Sequence, residues 1–319
     1  MGSIIPASGP TSLAGAGGAT GVAGAAPPTL LMGIINVTPD SFSDGGAWFD
    51  PAEAVAHGYA LVRDGAAILD VGGESTRPGA QRPDVEEELR RCIPVVRELS
   101  AQGFVVSIDT MRAPVAAAAV EAGAQLVNDV SGGLADPDMA SVVAGAGVDF
   151  VAMHWRGHSV DMQDRAVYGD VVQEVCAELQ ARVEALVAGG IAPERIILDP
   201  GLGFAKTAAH NWALLAHLDR LAELGHRLLI GASRKAFLGL LEADGDGVSA
   251  PPAARDGASA ALSLVCAQAR VWGVRVHDVG ASRSAVRVAE ALAAARAGET
   301  DRADLAAQPD GRPEVGDAR

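Results

Sequence analysis

Arg275 and His277 stand two residues apart in an apolar run near the end of the chain, so as strand residues both side chains leave the same face. Arginine offers a planar fork to phosphate oxygens, and histidine adds a further donor. An Arg-x-His pair is by itself most often half of a salt bridge. Here it gains weight from Asn36, which ends the first apolar run and would lie beside the last one if the chain closed on itself. An amide oxygen and phosphate oxygens are the hard ligands that Mg2+ accepts, with water filling the remaining positions. The serines at 282 and 284 would open a helix whose N-terminus also favours an anion. The chain carries a net charge of −15, so an anion must be met by a local cluster of this kind. The pattern points to a phosphorylated or pyrophosphorylated substrate, with Mg2+ on Asn36.

A second group has different chemistry. Asp109, Asn128 and Asp199 each stand at the end of an apolar run. Carboxylates accept from ring N–H and exocyclic amino groups, and an Asn side chain both donates and accepts. Together they suit the guanidine-like edge of a flat heterocycle. Met153 supplies a soft apolar floor, and Lys235 a single donor for a ring carbonyl. Paired carboxylates often do general acid–base work instead, but no activated Ser or Cys accompanies these.

Two segments are too rich in polar residues, Gly and Pro to be plain connections. One is Thr-Pro-Asp-Ser-Phe-Ser-Asp-Gly-Gly at 38–46, the other Gly-Gly-Glu-Ser-Thr-Arg-Pro-Gly at 72–79. Each follows an apolar run. Loops of this composition over a site act as lids. Phe42 and Pro78 are apolar groups on otherwise polar loops, suited to grip an aromatic second substrate.

The elements that must position these groups recur regularly. Short apolar runs occur at 30–37, 67–73, 105–110, 125–131, 149–155, 195–201, 227–233 and 273–280. Between them lie stretches such as 51–64, 83–102 and 168–188, with Ala, Leu and Val at helical spacing. Runs of this kind without hairpin signals read as parallel strands joined by crossover helices. Eight such units match a (β/α)8 TIM barrel as a single domain over 29–297. A doubly wound sheet would carry a Gly-rich phosphate loop after its first strand, and Asn36-Val-Thr-Pro-Asp is not one. Polar residues collect where the chain leaves each run: Asn36, Asp70, Asp109, Asn128, His154, Asp199, Ser233 with Lys235, and Arg275 with His277. Singly each is a plausible cap or satisfied core group. In a barrel all of them ring one mouth, the face where barrel enzymes carry their sites.

Composition agrees. Hydrophobic residues make up 49% of the 319, ample for a core, while aromatics are only 4%, which favours helix-on-sheet packing over a β-sandwich. The acidic balance excludes non-specific binding to nucleic acid or anionic membranes. Cys92, Cys176 and Cys266 are widely spaced, form no metal or disulfide pattern and are expected as buried thiols. Residues 1–28 hold no charge, and 14 of them are Gly or Ala, the composition of a disordered extension rather than a secretory signal. Residues 298–319 read as a solvated, disordered acidic tail. No apolar run reaches the ~20 residues of a membrane span, and a cytoplasmic protein is expected.

The segments GIINVTPDSFSDGG (33–46), DVGGESTRPGA (70–80), SIDT (107–110), NDVSGG (128–133), MHW (153–155), LDPGLGFAKT (198–207), GASRKAFLG (231–239) and RVHDV (275–279) together resemble the dihydropteroate synthases, nearest the actinobacterial form. The resemblance covers residues 30 to 296 in order and neither tail. It implies a homodimeric (β/α)8 enzyme that joins 6-hydroxymethyl-7,8-dihydropterin pyrophosphate to 4-aminobenzoate, releasing pyrophosphate, and that sulfonamides inhibit. By this resemblance Asp109, Asn128, Asp199 and Lys235 hold the pterin, with Met153 and Phe204 lining its pocket. Asn36, Arg275 and His277 hold pyrophosphate, with Mg2+ on Asn36. Phe42, Thr76, Arg77 and Pro78 form the aminobenzoate site, and Asp44 helps order the loops. Asp109, Lys235, Arg275 and His277 are the expected catalytic set. One departure is Ala236, where many members carry Ser after the Lys of the SRK motif. A non-catalytic pterin-binding relative and a pterin-dependent methyltransferase share the barrel, but neither has use for the STRPG loop with the Arg275/His277 pair.

Overall fold

A computed structural model describes residues 27–38, 51–74, 83–157, 162–241 and 249–307, with Gln163 and 298–307 described by backbone alone. Eight strands close into a parallel barrel in chain order. They are β1 (Leu30–Asn36), β2 (Ile68–Gly72), β3 (Val106–Asp109), β4 (Leu126–Asp129), β5 (Asp149–Met153), β6 (Ile196–Asp199), β7 (Arg227–Ile230) and β8 (Gly273–Val276). The expected (β/α)8 barrel is the observed fold. β8 pairs with β1, placing Met32 opposite Arg275, so the first and last runs are neighbours as the sequence required.

The strands form because their apolar residues face two ways. One alternating set turns inward: Met32, Ile68, Leu126, Val151, Ile197 and Leu229 make an apolar layer across the barrel. The intervening residues, among them Leu69, Val127, Phe150, Leu198 and Leu228, pack outward against the helices. A strand buried on both faces must be apolar throughout, which explains why these segments read as runs rather than as alternation.

The helices are α1 (Pro51–Asp64), α2 (Val85–Ala101), α3 (Ala113–Glu121), α4 (Met139–Ala146), α5 (Val171–Ala188), α6 (Ala208–Ala216), α7 (Leu218–Ala222), α8 (Ala236–Gly239), α9 (Asp256–Gln268) and α10 (Val279–Ala307). α5 shows why such a segment is helical and where it docks. Asp170 caps it by accepting from the backbone of Val172 and Gln173, and Val175, Leu179, Val183 and Leu186 fall on one buried stripe. Cys176 lies one position off that stripe and is half-buried, unlike the fully buried Cys92 and Cys266. The expectation of three buried thiols therefore holds for two.

Two boundaries differ from the sequence reading. α10 opens at Val279, with Asp278 accepting from Ala281 N at 2.9 Å, so Ser282 and Ser284 sit inside the helix rather than at its start. The helix also continues past residue 297 to Ala307, into the stretch read as a tail. Ala, Glu, Arg and Leu there are good helix formers. Among the described residues no helix is long and apolar enough to cross a membrane.

Candidate active site

Two residues beyond the apolar layer, the same strands carry a polar layer. Ile68 is followed by Asp70, Leu126 by Asn128 and Ile197 by Asp199. The period of two that put the apolar residues inside puts these inside as well. Arg275 reaches in from β8 and joins them. Its Nε donates to Asp70 Oδ2 at 2.6 Å and its Nη2 to Asp109 Oδ2 at 2.7 Å. Asn128 Nδ2 donates to the same Asp70 oxygen at 2.9 Å. Asp70 is completely buried and is the hub of the layer, a role the sequence reading did not give it. Its position in the ring of strand-end polar residues was the available signal.

Arg275 was expected as an anion-binding fork. In the structure two of its N–H groups go to carboxylates, where the guanidinium offsets the charge of Asp70 and Asp109 inside the barrel. Burial pushes the Asp109 carboxyl up to about 7; Arg275 opposes the shift and Asp70 adds to it. Burial also raises the Asp199 carboxyl, against the pull of Lys235 and of the hydrogen bond from Gly201 N at 2.7 Å. Lys235 is drawn down by burial to about 8, with Asp199 opposing. Burial thus holds both carboxyls above their ordinary range and the amine of Lys235 below its own.

An apolar shelf lies beside the polar groups. Met111, Val130 and Met153 form a separate cluster, with Phe204 and Trp155 packed against it. Lys235 Nζ stands 4.5 Å from the centre of the Phe204 ring and donates to the carbonyl of Leu202. Met111 and Val130 follow the SIDT and ND motifs directly, and nothing in their type singled them out. The loop after β6 must run close under β5. A Cβ at Gly201 would lie 2.3 Å from the carbonyl oxygen of His154, and the residue has φ +67°, so only glycine fits there.

The SRK segment after β7 is braced from behind. Arg234 has φ +59° and is held by a two-pronged pair with Asp256 at 2.7 and 2.8 Å, while Arg255 donates to its carbonyl oxygen. Ser233 Oγ accepts from His277 N at 3.2 Å and bonds His277 Nδ1 at 3.0 Å, tying β7 to β8. Ala236 begins α8 and is exposed. Asn36 ends β1 level with Gly72 of β2.

Asn36, Asp109, Asn128, Met153, Asp199, Phe204, Lys235, Arg275 and His277 therefore gather at one mouth. His154 does not belong with them. Met153 points inward, so the next side chain points outward, and His154 bonds Glu178 of α5 through Nε2 at 2.9 Å and Lys206 through Nδ1 at 2.9 Å. Phe42, Asp44, Thr76, Arg77 and Pro78 lie outside the described residues. Both flanks of the second loop are held, however. Arg112 pairs with Glu88 and with Glu74 before the loop, and donates to the carbonyl of Pro83 after it at 2.6 Å. Arg91 donates to Gly73 O at 3.2 Å.

Residues 32–277 match the family model described as the pterin binding enzymes. The dihydropteroate synthase of Mycobacterium leprae is 56% identical over 262 residues, which span 82% of this chain and 92% of that protein. A solved structure of the Xanthomonas albilineans dihydropteroate synthase with 4-aminobenzoic acid superposes with TM-score 0.77 at 46% identity, covering 84% of this chain and 94% of that one. The Yersinia pestis enzyme in a sulfonamide complex superposes with TM-score 0.78 at 38% identity, covering 84% and 95%. With a family match over residues 32–277 and a barrel that superposes on theirs along most of the chain, this protein belongs to the pterin binding enzyme family, among its dihydropteroate synthases.

Proposed function

We propose that this chain condenses 6-hydroxymethyl-7,8-dihydropterin pyrophosphate with 4-aminobenzoate, giving 7,8-dihydropteroate and pyrophosphate. The observation that carries the reading is the buried polar layer, in which Asp109, Asn128 and Asp199 surround Arg275 at the barrel mouth. A pterin presents ring N–H and amino donors to the carboxylates and a ring carbonyl to Lys235. Its flat faces find Met153 and Phe204. The Xanthomonas albilineans structures hold 4-aminobenzoic acid in one case and 7,8-dihydropteroate in another, which supports the same pair of substrates here.

The chemistry asks little proton transfer of the protein. The pterin CH2–O bond breaks toward a good leaving group, and the cation left behind is delocalised into the electron-rich ring. Asp109, facing that ring from β3, stabilises the positive charge as it develops. Arg275 has five N–H groups and gives two to Asp70 and Asp109, which leaves three for phosphate oxygens. His277, held by Ser233, supplies a further donor beside it. The aniline nitrogen of aminobenzoate is neutral at pH 7 and adds to the carbon without a strong general base. Phe42, Thr76, Arg77 and Pro78 are our choice for its pocket, with Asp44 ordering the loops and water kept from the cation.

Among the described residues no group of three His, Cys, Asp or Glu side chains forms a metal site. The residues present fit an ion held mainly through the substrate's phosphates, as Mg2+ commonly is, with Asn36 as its protein oxygen ligand. Bound there, Mg2+ would neutralise charge on the departing pyrophosphate. We also read the enzyme as a cytoplasmic homodimer; the exposed Val288 and Leu292 of α10 offer apolar surface for a partner. Sulfonamides would occupy the aminobenzoate slot; that the Yersinia pestis enzyme is solved with a sulfonamide drug supports binding of this drug class.

Turnover followed as pyrophosphate release tests the reading. Release that needs both the pterin pyrophosphate and aminobenzoate is expected. Pterin binding with no release would identify a non-catalytic relative. Calorimetry with aminobenzoate tests the order of binding: weak alone, and strengthened once pyrophosphate, Mg2+ and a pterin are present. Tight binding to the bare enzyme overturns that order.

A further inference from the structure

Lys206 is a buried amine for which the reaction above has no use. It follows the loop after β6 and is 3% exposed. A buried ammonium is expensive to keep unless its donors are matched. Here Nζ donates to the carbonyl of Phe204 at 3.1 Å and bonds His154 Nδ1 at 2.9 Å. A lysine side chain donates, so Nδ1 accepts, which places the ring proton on Nε2 facing Glu178 at 2.9 Å. Tyr168 covers the pair from the α5 side.

These bonds complete a two-ended attachment. At its start, the loop crosses under His154 through Gly201, and His154 N donates to Asp199 O at 2.8 Å. At its end, Lys206 returns to the same histidine through its side chain. Phe204 lies between the two anchors, with its carbonyl taken by Lys206 and its ring facing Lys235. Ala205, between Phe204 and Lys206, has φ +47°, a backbone conformation that a residue with a Cβ adopts at a cost and keeps only when its surroundings hold it. The two lysines thus grip the loop from opposite sides: Lys235 from the mouth, Lys206 from behind.

We propose that Lys206, braced by His154, is a positioning residue that holds the 200–206 loop so that Phe204 stands where the pterin ring must lie. The inference rests on the reading of this pocket as the pterin site. Lys206 also sits close enough to Asp199 to favour its ionised form, so the strut supports both the floor of the pocket and the carboxylate beside it.

Lys206→Met keeps the length and removes both hydrogen bonds. Binding of 6-hydroxymethyl-7,8-dihydropterin, followed by calorimetry, is expected to weaken about five- to tenfold, the scale of one or two net hydrogen bonds. KM for aminobenzoate should stay within about twofold, because its loops come from elsewhere in the chain. Thermal stability is expected to fall as well, since Phe204 O and His154 Nδ1 lose their donor. The readout that a merely structural lysine would not move is the split between weakened pterin binding and unchanged KM for aminobenzoate. The route through the loop is read in a second background. Once Phe204→Ala has removed the ring, adding Lys206→Met should weaken pterin binding by less than twofold further. Unchanged pterin affinity in Lys206→Met, or an undiminished loss in the Phe204→Ala background, overturns the proposal. Absence of pterin binding to the unsubstituted enzyme would instead overturn the functional reading itself.

Discussion

The barrel interior contains two layers built on the same strands and opposite in character. The lower one, with Met32, Ile68, Leu126, Val151, Ile197 and Leu229, is wholly apolar. The upper one, two residues further along, contains Asp70, Asn128, Asp199 and, from the neighbouring strands, Asp109 and Arg275. The lower layer needs only shape, because dispersion and burial satisfy each side chain wherever it packs well. The upper layer needs specific partners, because each buried polar group is costly without one. Even so, Asp70 Oδ1 is buried with no hydrogen-bond partner among the described residues, and so is the hydroxyl of Ser107 beside it on β3. The barrel interior is apolar below and polar above, and the polar end carries the candidate site.

The contrast can be broken most severely at Arg275. Replacing it with Ala leaves Asp70 and Asp109 facing each other without their cation, and removing one partner of a buried pair typically costs about 3–5 kcal/mol. Arg275 retains some exposure, so the lower end of that range is expected in denaturant unfolding, together with at least a hundredfold fall in kcat/KM. A stable, active Arg275→Ala enzyme would mean that the upper layer is not held by this residue.

In the lower layer, Leu126→Ala should lower stability by about 2–5 kcal/mol, the range for a fully buried leucine. Measured in the folded enzyme, KM for both substrates should change less than twofold. A large shift in pterin KM would show that the two layers are mechanically coupled rather than separate.

Asp199→Asn and Lys235→Ala sharpen the comparison from the other side. Each removes a charged hydrogen bond to the ligand, about 1.5–3 kcal/mol, so each should reduce kcat/KM tenfold or more while unfolding midpoints move little. Near-normal kinetics in both would remove the pterin from this pocket.

The smallest effect is a pH dependence. The Asp109 carboxyl titrates near 7 in the folded chain against an ordinary value of 3.8. Its folded pKa is raised, so its contribution to stability is fully present below about 4 and is lost as pH rises through about 7. Asp109→Asn should therefore gain in stability relative to the unsubstituted chain between pH 5 and 8, as thermal unfolding would show. Pterin affinity, which uses the ionised carboxylate, should rise a few-fold over the same interval in the unsubstituted enzyme and stay flat in the variant. An equal rise in both would assign the titration to another group.

Much of the site was legible from local pattern. Asp109, Asn128 and Asp199 announce themselves by standing at the ends of apolar runs, and Arg275 with His277 by their spacing of two. His154 shows the limit of that reasoning. It ends a run like the others, yet it faces α5 because Met153 takes the inward position. Cys176 fails in the same way, by one helical step. Position at the end of an element is visible in sequence; which face a residue takes there depends on the parity of its neighbours.

What the sequence determined by itself follows from short-range periodicity. Eight apolar runs with helical stretches between them point to parallel strands, and the two-residue repeat of a strand fixes which of its residues share a face, since both are properties of a few consecutive residues. What only the tertiary structure decided is who satisfies whom. Arg275 meets Asp70 across 205 residues of sequence and Asp109 across 166, and Lys206 finds His154 across 52. The Lys206 pairing exists because β5 and β6 are neighbours. The two Arg275 pairings exist because closing the barrel brings β8 beside β1 and aims side chains from both halves of the chain into one low-dielectric space. There a charge must take the partner within reach, and reach is set by the closed ring, not by the spacing along the chain.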